Sequence, residues 1–428
     1  MLVLGSASYL GLCLVCTYGT PVADMLAHSP PLPLVIDYFQ EDGDITREEE
    51  GVVVALEQRD RVRRVRLFPN PQKLIMAFDG EYPVLEYLTI TAEDNSTGTA
   101  LMLPETFQAP NLRHLTLTGF ALPIESRLLT TAMGLITLSL YMAPSTYFRP
   151  STLLQWISFM PQLETLVIDS LFPIPNQDVE SQLMHTPITT HVTLPNLRSF
   201  SFQGGSAYLE EVVRRIITPR LEEFSIEFYE QLTYSVPRLV QFMNTTKFDG
   251  ANFEFSSNQI SVEFYFRGDA KPNTLTIYVN CSHLNWQVSS VAQLFDSLSQ
   301  MFSAVEYLTL EQEVRSRPSD EHNEVNRGTV WRRLLTSFGN VKTLLVDDDR
   351  LVKELSRCLR QDGEEHASEL LPELKELRYS GRGNADKFTS FIEARQNAGR
   401  PVTLICHIRL SEYGRPRRCV LTRSYLGI

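Results

Sequence analysis

The amino-acid sequence predicts an α/β fold in which many short units, each with one strand and one helix, stack into a solenoid. Three observations predict this fold: a repeated apolar skeleton, helical periodicity between its copies, and alternation of apolar and polar residues within the strands. The skeleton is clearest where Ala109–Leu117 reads APNLRHLTL and Leu194–Phe202 reads LPNLRSFSF. Both stretches place apolar residues in the pattern apolar-x-x-apolar-x-apolar, with a proline two places ahead.

The skeleton recurs along the chain at intervals of roughly 23 to 36 residues, apart from one long gap. Its clear copies begin at Val62, Leu85, Leu112, Leu135, Leu163, Leu197, Leu221, Val305, Val341 and Leu374. Two degenerate copies fill the gap between Leu221 and Val305, namely KFDGANFEF, with Phe248, Ala251 and Phe253, and NTLTIYV, with Leu275, Ile277 and Val279. We therefore predict about twelve units.

The spacing within each copy indicates a strand, because apolar residues two positions apart point to the same side of an extended chain. The segments between copies have helical spacing, as in STLLQWISFM from Ser151 and RLVKELSRCL from Arg350. This alternation predicts a leucine-rich-repeat solenoid, an arc or horseshoe with an all-parallel inner sheet and outer helices. A barrel or doubly wound sheet is less consistent, because its buried strands would be continuously apolar.

The repeats assign three regions to the chain. Residues 50–400 form the predicted solenoid, residues 1–49 an N-terminal cap, and residues 401–428 a C-terminal strand with a short basic tail. In the cap, PLPLVIDYF has its own strand pattern, with Leu34 and Ile36 facing the core, and we expect it to cover the terminal edge of the sheet. The apolar N-terminal run is the alternative site of a secretory signal, but such a signal requires early positive charge. The first Lys or Arg is Arg47.

Composition excludes several classes of function. The 428 residues have a formal net charge of −12, whereas nucleic-acid phosphate is bound by clustered Lys and Arg. We therefore expect no nucleic-acid partner. The apolar N-terminal run is too short to span a membrane, so we expect no membrane partner either. The six cysteines are too few and too scattered for a disulfide framework. These features predict a cytoplasmic or nuclear protein.

The sequence contains no recognisable catalytic or cofactor-binding motif. A phosphate-binding loop, a zinc-protease helix and a nucleophile elbow are all missing from it. The run Asp347-Asp348-Asp349 could bind a hard cation, but it also lies between a predicted strand and a predicted helix, where carboxylates cap the helix. We favour capping, and we predict a protein that is not an enzyme and that uses no metal or cofactor.

The water-facing positions of the predicted strands are the candidate binding residues. If the skeleton residues face inward, the alternate residues face outward, and in the later repeats the last outward position is acidic or amidic. The candidates for partner binding are the aromatic and acidic members of this face: Tyr87, His114, Tyr141, Asp169, Glu227, Tyr307, Glu311 and Asp347. They predict a concave surface that binds a basic protein target. The alternatives are that the carboxylates cap turns and that the partner binds a loop on the rim.

The order of these segments resembles the fungal F-box proteins that carry a C-terminal leucine-rich-repeat region. The shared segments are LVCTYGTPVADMLAHSPPLPLVIDYF, the LPNLRHL-type units, FMPQLETLVI, and LLPELKELRYSG followed by a helix and GRPVTLI. The resemblance implies substrate recognition in a cullin-RING ubiquitin ligase. A Skp-type adaptor would bind only if an F-box lies upstream, since residues 1–16 hold at most a remnant of one. The alternative is a free-standing repeat scaffold or sensor with no link to ubiquitin.

Overall fold

The computed structural model of the chain has a mixed α/β architecture with mostly parallel strands flanked by helices, which confirms the α/β part of the predicted fold class. It describes residues 14–17, 22–28, 30–39, 49–68, 72–92, 101–123, 125–142, 146, 148–170, 191–228, 236–243, 248–267, 274–281, 284–312, 327–359, 370–380, 385–408 and 417–419. Within these ranges, no helix combines the length and the hydropathy needed to cross a membrane.

Contacts divide the chain into two compact units, which are described separately below. The first unit comprises Met1–Gly204 and Glu211–Leu221, and the second comprises Gly205–Glu210 and Glu222–Ile428. The helix between the strands of the two units, Ser206–Val213, has residues in both.

The described strands of the first unit follow the repeated skeleton, with short additional strands between them. They are β1 (Leu14–Thr17), β2 (Leu34–Phe39), β3 (Val62–Phe68), β4 (Tyr87–Thr91), β5 (Leu101–Met102), β6 (His114–Thr118), β7 (Phe120–Ala121), β8 (Thr137–Met142), β9 (Thr165–Ser170), β10 (Val192–Thr193), β11 (Ser199–Gly204) and β12 (Ile216–Ile217). The main sheet is parallel, in the order β1-β2-β3-β4-β6-β8-β9-β11. The short strands form separate parallel pairs, β5 with β7 and β10 with β12.

The described helices of the first unit connect successive strands of the sheet. They are α1 (Val22–His28), α2 (Glu49–Glu57), α3 (Gln72–Ile75), α4 (Arg127–Thr131) and α5 (Pro150–Ile157), and the helix shared by both units is α6 (Ser206–Val213). Helix α5 shows how a helix completes the core, because its Trp156 is fully buried and packs edge-on against Phe148 at 4.9 Å between ring centroids. The skeleton residues Leu166 and Phe200 are also buried, which confirms the predicted inward register.

The second unit contains the remaining strands and helices. Its described strands are β13 (Glu223–Phe228), β14 (Gly250–Phe255), β15 (Gln259–Tyr265), β16 (Thr274–Asn280), β17 (Tyr307–Gln312), β18 (Thr343–Asp347), β19 (Glu376–Ser380), β20 (Thr403–Ile408) and β21 (Arg417–Cys419). Its described helices are α7 (Pro237–Met243), α8 (Leu284–Phe302), α9 (Arg327–Thr336), α10 (Asp349–Leu359) and α11 (Thr389–Asn397), with a 3-10 turn at Ala385–Phe388 before α11.

The strand order of the second unit corrects the prediction of an all-parallel sheet. The sheet runs β13-β16-β15-β14-β17-β18-β19-β20-β21, and both β15 and β21 are antiparallel to their neighbours. Both degenerate skeleton copies do form strands, β14 and β16, and their apolar residues are buried as predicted. The reversed strand β15 lies between them.

The chain reverses in this region because β14, β15 and β16 form two successive antiparallel pairs. Helix α8 must then carry the chain from β16 past β15 and β14 to β17, and its 19 residues give it ample length, since a helix rises about 1.5 Å per residue. Aromatic rings fix the helix to the sheet. Phe302 of α8 stacks on Phe264 of β15 at 4.2 Å, and Phe295 packs edge-on against Phe253 of β14 at 5.7 Å.

The N-terminal region differs from its prediction in one respect. Strand β2, which contains PLPLVIDYF in part, has partners on both sides, β1 and β3, so β1 is the outer strand. The inward residues Leu34 and Ile36 are fully buried, as predicted. The N-terminal remnant was predicted over residues 1–16, of which residues 1–13 lie outside the described residues and residues 14–16 belong to β1. Near the C-terminus, part of the predicted basic tail forms β21, which pairs with β20.

Candidate functional site

Each sheet has one face covered by helices and one face, called here the exposed face, on which every second side chain reaches water. Burial alternates along the repeat strands in this way, with buried skeleton residues and half-exposed residues between them. All the candidate binding residues lie on the exposed faces. The first unit holds Tyr87, His114, Tyr141 and Asp169, and the second unit holds Glu227, Tyr307, Glu311 and Asp347.

Tyr87 and His114 form a stacked pair on the exposed face of the first unit. They face each other across β4 and β6, with ring centroids 4.4 Å apart and ring planes within 8° of parallel. The guanidinium of Arg64 lies 5.6 Å from the Tyr87 ring centroid, and Nδ1 of His114 lies 3.1 Å from the Thr137 hydroxyl. Burial, followed by the positive charges of Arg113 and Arg64, lowers the pKa of His114 below its ordinary value. This arrangement favours the neutral imidazole.

Tyr141 and Asp169 form a second, separate pair near the carboxyl ends of the same strands. They are register partners across β8 and β9, and Gln203 follows Asp169 on β11. Burial and the negative charge of Asp169 raise the pKa of Tyr141 above its ordinary value. Tyr141 lies four residues beyond Thr137, the register partner of His114, so about 13 Å of strand separates the two pairs. A ligand that touches both must be longer than one side chain.

Three carboxylates form a row across adjacent strands of the second unit. Glu254 of β14 is the register partner of Glu311 on β17, which is in turn the register partner of Asp347 on β18. These three residues are called the acidic row. Neighbouring strands are about 4.8 Å apart, and like charges directly opposite one another are destabilising. The row therefore favours a cation above this part of the face.

Glu227 lies on the same exposed face, beside a tyrosine that the predicted set lacked. Its register partner is Tyr278 of β16, and its Oε1 accepts a hydrogen bond of 2.7 Å from Nδ2 of Asn280. Burial raises the pKa of Tyr278, and so does the negative charge of Glu263. The charges of Glu227 and Glu254 raise this pKa to a smaller extent, whereas a hydrogen bond with Ser261 lowers it. Glu227 thus takes part in a polar network around Tyr278.

Tyr307 lies at the opposite end of β17 from the acidic row, under a cation from its own chain. The guanidinium carbon of Arg267 lies 3.7 Å from the Tyr307 ring centroid, a close cation-π contact. The register partner of Tyr307 is Gly250, and a Cβ on Gly250 would overlap the Tyr265 ring. Glycine is therefore needed here so that Tyr265 can lie across the strand. The rings of Tyr265 and Tyr307 and the Arg267 guanidinium cover this end of the exposed face.

Sequence reasoning missed the candidate residues that the antiparallel segment supplies. Glu254, Glu263 and Tyr278 come from β14, β15 and β16, where the repeat skeleton is degenerate. The sequence does indicate a β-hairpin here, because Phe253–Tyr265 reads FEFSSNQISVEFY, two alternating runs separated by a Ser-Ser-Asn turn. A search for the leucine skeleton alone passes over this hairpin.

The Asp347–Asp349 run caps a helix, as we predicted in preference to a metal site. Oδ1 of Asp348 accepts hydrogen bonds from the backbone N–H groups of Arg350 at 2.6 Å and Leu351 at 3.4 Å, at the start of α10. Over the described ranges, no group of three His, Cys, Asp or Glu side chains is placed to hold a metal ion.

No family model matches the sequence, and neither does any curated protein. A function must therefore be inferred from the side chains of the exposed faces, and above all from the acidic row.

Proposed function

We propose that the chain is a protein-binding repeat protein of the leucine-rich-repeat solenoid class, whose concave inner sheet receives a protein target. The regular register of the repeat strands within each unit supports this proposal. Inward positions of such a scaffold are constrained to be apolar, whereas the exposed positions are free to vary and so to recognise a partner. Those exposed positions hold tyrosines and carboxylates.

The acidic row is the single observation that carries the proposal. Three carboxylates in register across β14, β17 and β18 give this part of the exposed face a negative potential. This potential would attract a basic protein target, and the long-range attraction would speed encounter at low ionic strength. Tyr278, beside the row, would supply aromatic contact area of the sort found at interface hot spots.

Within this class, we propose the role of substrate receptor in a cullin-RING ubiquitin ligase of the cytoplasm or nucleus. The support is the order of sequence segments shared with the fungal F-box proteins. The adaptor would be recruited by an F-box upstream of the LVCT segment. The second candidate is a scaffold or sensor that uses the same face without ubiquitin.

Affinity purification with mass spectrometry, on the wild-type chain and on the double variant E254K/E311K, tests the proposal. We expect the variant to lose basic partners that the wild type retains. The control variant E57K/E393K changes the net charge equally at two exposed glutamates on α2 and α11, and it should retain them. Equal recovery of basic partners by the wild type and both variants would refute the proposal that the exposed face binds the target. Recovery of a Skp-type adaptor and a cullin would separate the ligase role from the scaffold role.

A further inference from the structure

The last two strands of the second unit place two cysteines directly opposite each other. Strands β20 and β21 are antiparallel, and Cys406 of β20 is the register partner of Cys419 on β21. Directly opposed residues of an antiparallel pair have Cα atoms about 4.5 or 5.5 Å apart, depending on their place in the hydrogen-bond pattern. Both separations fall within the range of about 4.4 to 6.8 Å that is usual for disulfide bonds. The backbone therefore holds the two cysteines at the spacing of a disulfide.

The register also assigns the two cysteines to the same face of the sheet. Cys406 is buried, and its partner on the other side is the buried Tyr379 of β19. Tyr379 in turn is opposite Val346 of β18, which is fully buried. Cys419 continues this inward row by register, since directly opposed residues of neighbouring strands share a face. Residues that point to opposite faces could not be bridged without movement of the backbone.

Strand β21 is a short element for which backbone pairing alone provides little stability. It has three residues, Arg417–Cys419, and each of them has one register partner on β20. Even a longer isolated pair of strands is only marginally stable in water. Two of the three residues are arginines, which are seldom fully buried. A covalent bond at Cys419 would hold β21 against β20 where three pairs of residues would not.

We propose that Cys406 and Cys419 form a reversible disulfide bond that fastens β21 to β20. The oxidant is a small-molecule disulfide of the glutathione class. The thiolate of one cysteine attacks a sulfur of the oxidant and releases one glutathione thiolate, and the second cysteine thiolate then displaces the other glutathione from the mixed disulfide. The two cysteines lose two protons and two electrons in total, and the oxidant takes them up to become two glutathione thiols.

The register selects this pair over the other cysteines of the described strands and helices. Cys16 of β1 is opposite Ile36, Cys281 follows β16, and Cys358 lies on α10. Burial raises the pKa of the Cys358 thiol to about 11, so little of its reactive thiolate is present at neutral pH. A single reversible bond also suits a reducing compartment, where protein disulfides are mostly transient or redox-sensing. The bond does not depend on the acidic row or on the proposed function.

Incubation of the full chain in a buffer of oxidised and reduced glutathione tests the inference. The remaining thiols are then alkylated under denaturing conditions, and the protein is digested and analysed by mass spectrometry without reduction. We expect one linked pair of peptides, containing Cys406 and Cys419, which excess dithiothreitol separates. The control variants C281S and C358S should form the same link. In C406A the oxidant should leave a single glutathionyl group on Cys419, because the thiol that would displace it is missing.

Hydrogen exchange on the oxidised and the reduced wild type provides a second measurement. The bond closes the loop between β20 and β21, and the chain-entropy model predicts that the opening of β21 becomes less frequent by a factor on the order of 100. The same oxidation should not change exchange in C419S. Circular dichroism and the thermal midpoint establish that each variant is folded. If wild type in predominantly oxidised buffer keeps both cysteines alkylatable, stops at a mixed disulfide, or links Cys406 to another cysteine, the inference is wrong.

Discussion

Replacement of Gln287 by leucine should loosen the antiparallel segment of the second unit. Gln287 is fully buried on α8, and its Nε2 donates hydrogen bonds to the carbonyls of Ser256, at 3.0 Å, and Cys281, at 2.7 Å. These carbonyls belong to the turn after β14 and to the residue after β16. The side chain therefore fastens both ends of the segment to the helix beneath it.

The expected cost of Q287L follows from these two bonds. Each contributes about 0.5 to 1.5 kcal/mol net, so together they predict a loss of about 1 to 3 kcal/mol in the free energy of unfolding. Leucine is similar in size to glutamine, so little of this loss comes from a cavity. At a pH above the pKa of the introduced carboxyl, Q287E should lower the free energy of unfolding by more than Q287L does, because it would bury a carboxylate against carbonyl oxygens.

Hydrogen exchange followed by mass spectrometry measures this effect where it should occur. We expect faster exchange in β14, β15 and β16 of Q287L, together with a lower denaturant midpoint. The control is Q293L, which replaces a half-buried glutamine on the same helix and should change the midpoint by less than about 0.5 kcal/mol. Exchange in Q287L that matches wild type throughout these strands would refute the packing of the segment on α8.

Three further predictions concern single side chains. D348A should lower the free energy of unfolding by about 1 kcal/mol by removing the cap of α10, measured by denaturant titration, whereas D348N should restore most of it. Burial raises the pKa of Tyr82 to about 12. Because the folded state then holds the phenol proton more tightly than the unfolded state, the free energy of unfolding should fall as pH rises above about 10. In Y82F this part of the pH dependence should be absent. Burial raises the pKa of the Cys358 thiol to about 11, so its alkylation in the native protein at pH 8 should be far slower than in the unfolded chain; equal rates would contradict its burial.

The strand positions could be predicted from the sequence because the skeleton reports directly on burial. Leu115 and Leu117 must be apolar for the sheet to have a core, and both are buried. Even the degenerate copies obey this rule, since Ala251 and Ile277 are fully buried. The exposed positions between the skeleton residues follow from the same alternation, which is why the predicted binding residues all lie on exposed faces.

Strand direction and strand order could not be predicted in the same way. Alternation is identical in a parallel and an antiparallel strand, so QISVEFY carries no sign that β15 runs backwards. Direction depends on the tight turn at Ser256–Asn258 and on the length of α8, which together bring β16 next to β13 and β14 next to β17. The sequence therefore does not indicate which residues on adjacent strands are the neighbours of Glu227 and Glu311. Glu254 joins the acidic row because β14 pairs with β17, which places it beside Glu311.

A photo-crosslinking amino acid at Thr309 tests the central claim most directly, because Thr309 lies in the middle of the exposed face, in register with Asn252. The same probe at Glu393, exposed on α11, provides the comparison. We predict that Thr309 captures a basic protein partner, that the capture disappears in E254K/E311K, and that Glu393 captures it poorly. Capture at Glu393 alone, or undiminished capture at Thr309 in E254K/E311K, would contradict the assignment of the exposed face as the binding surface.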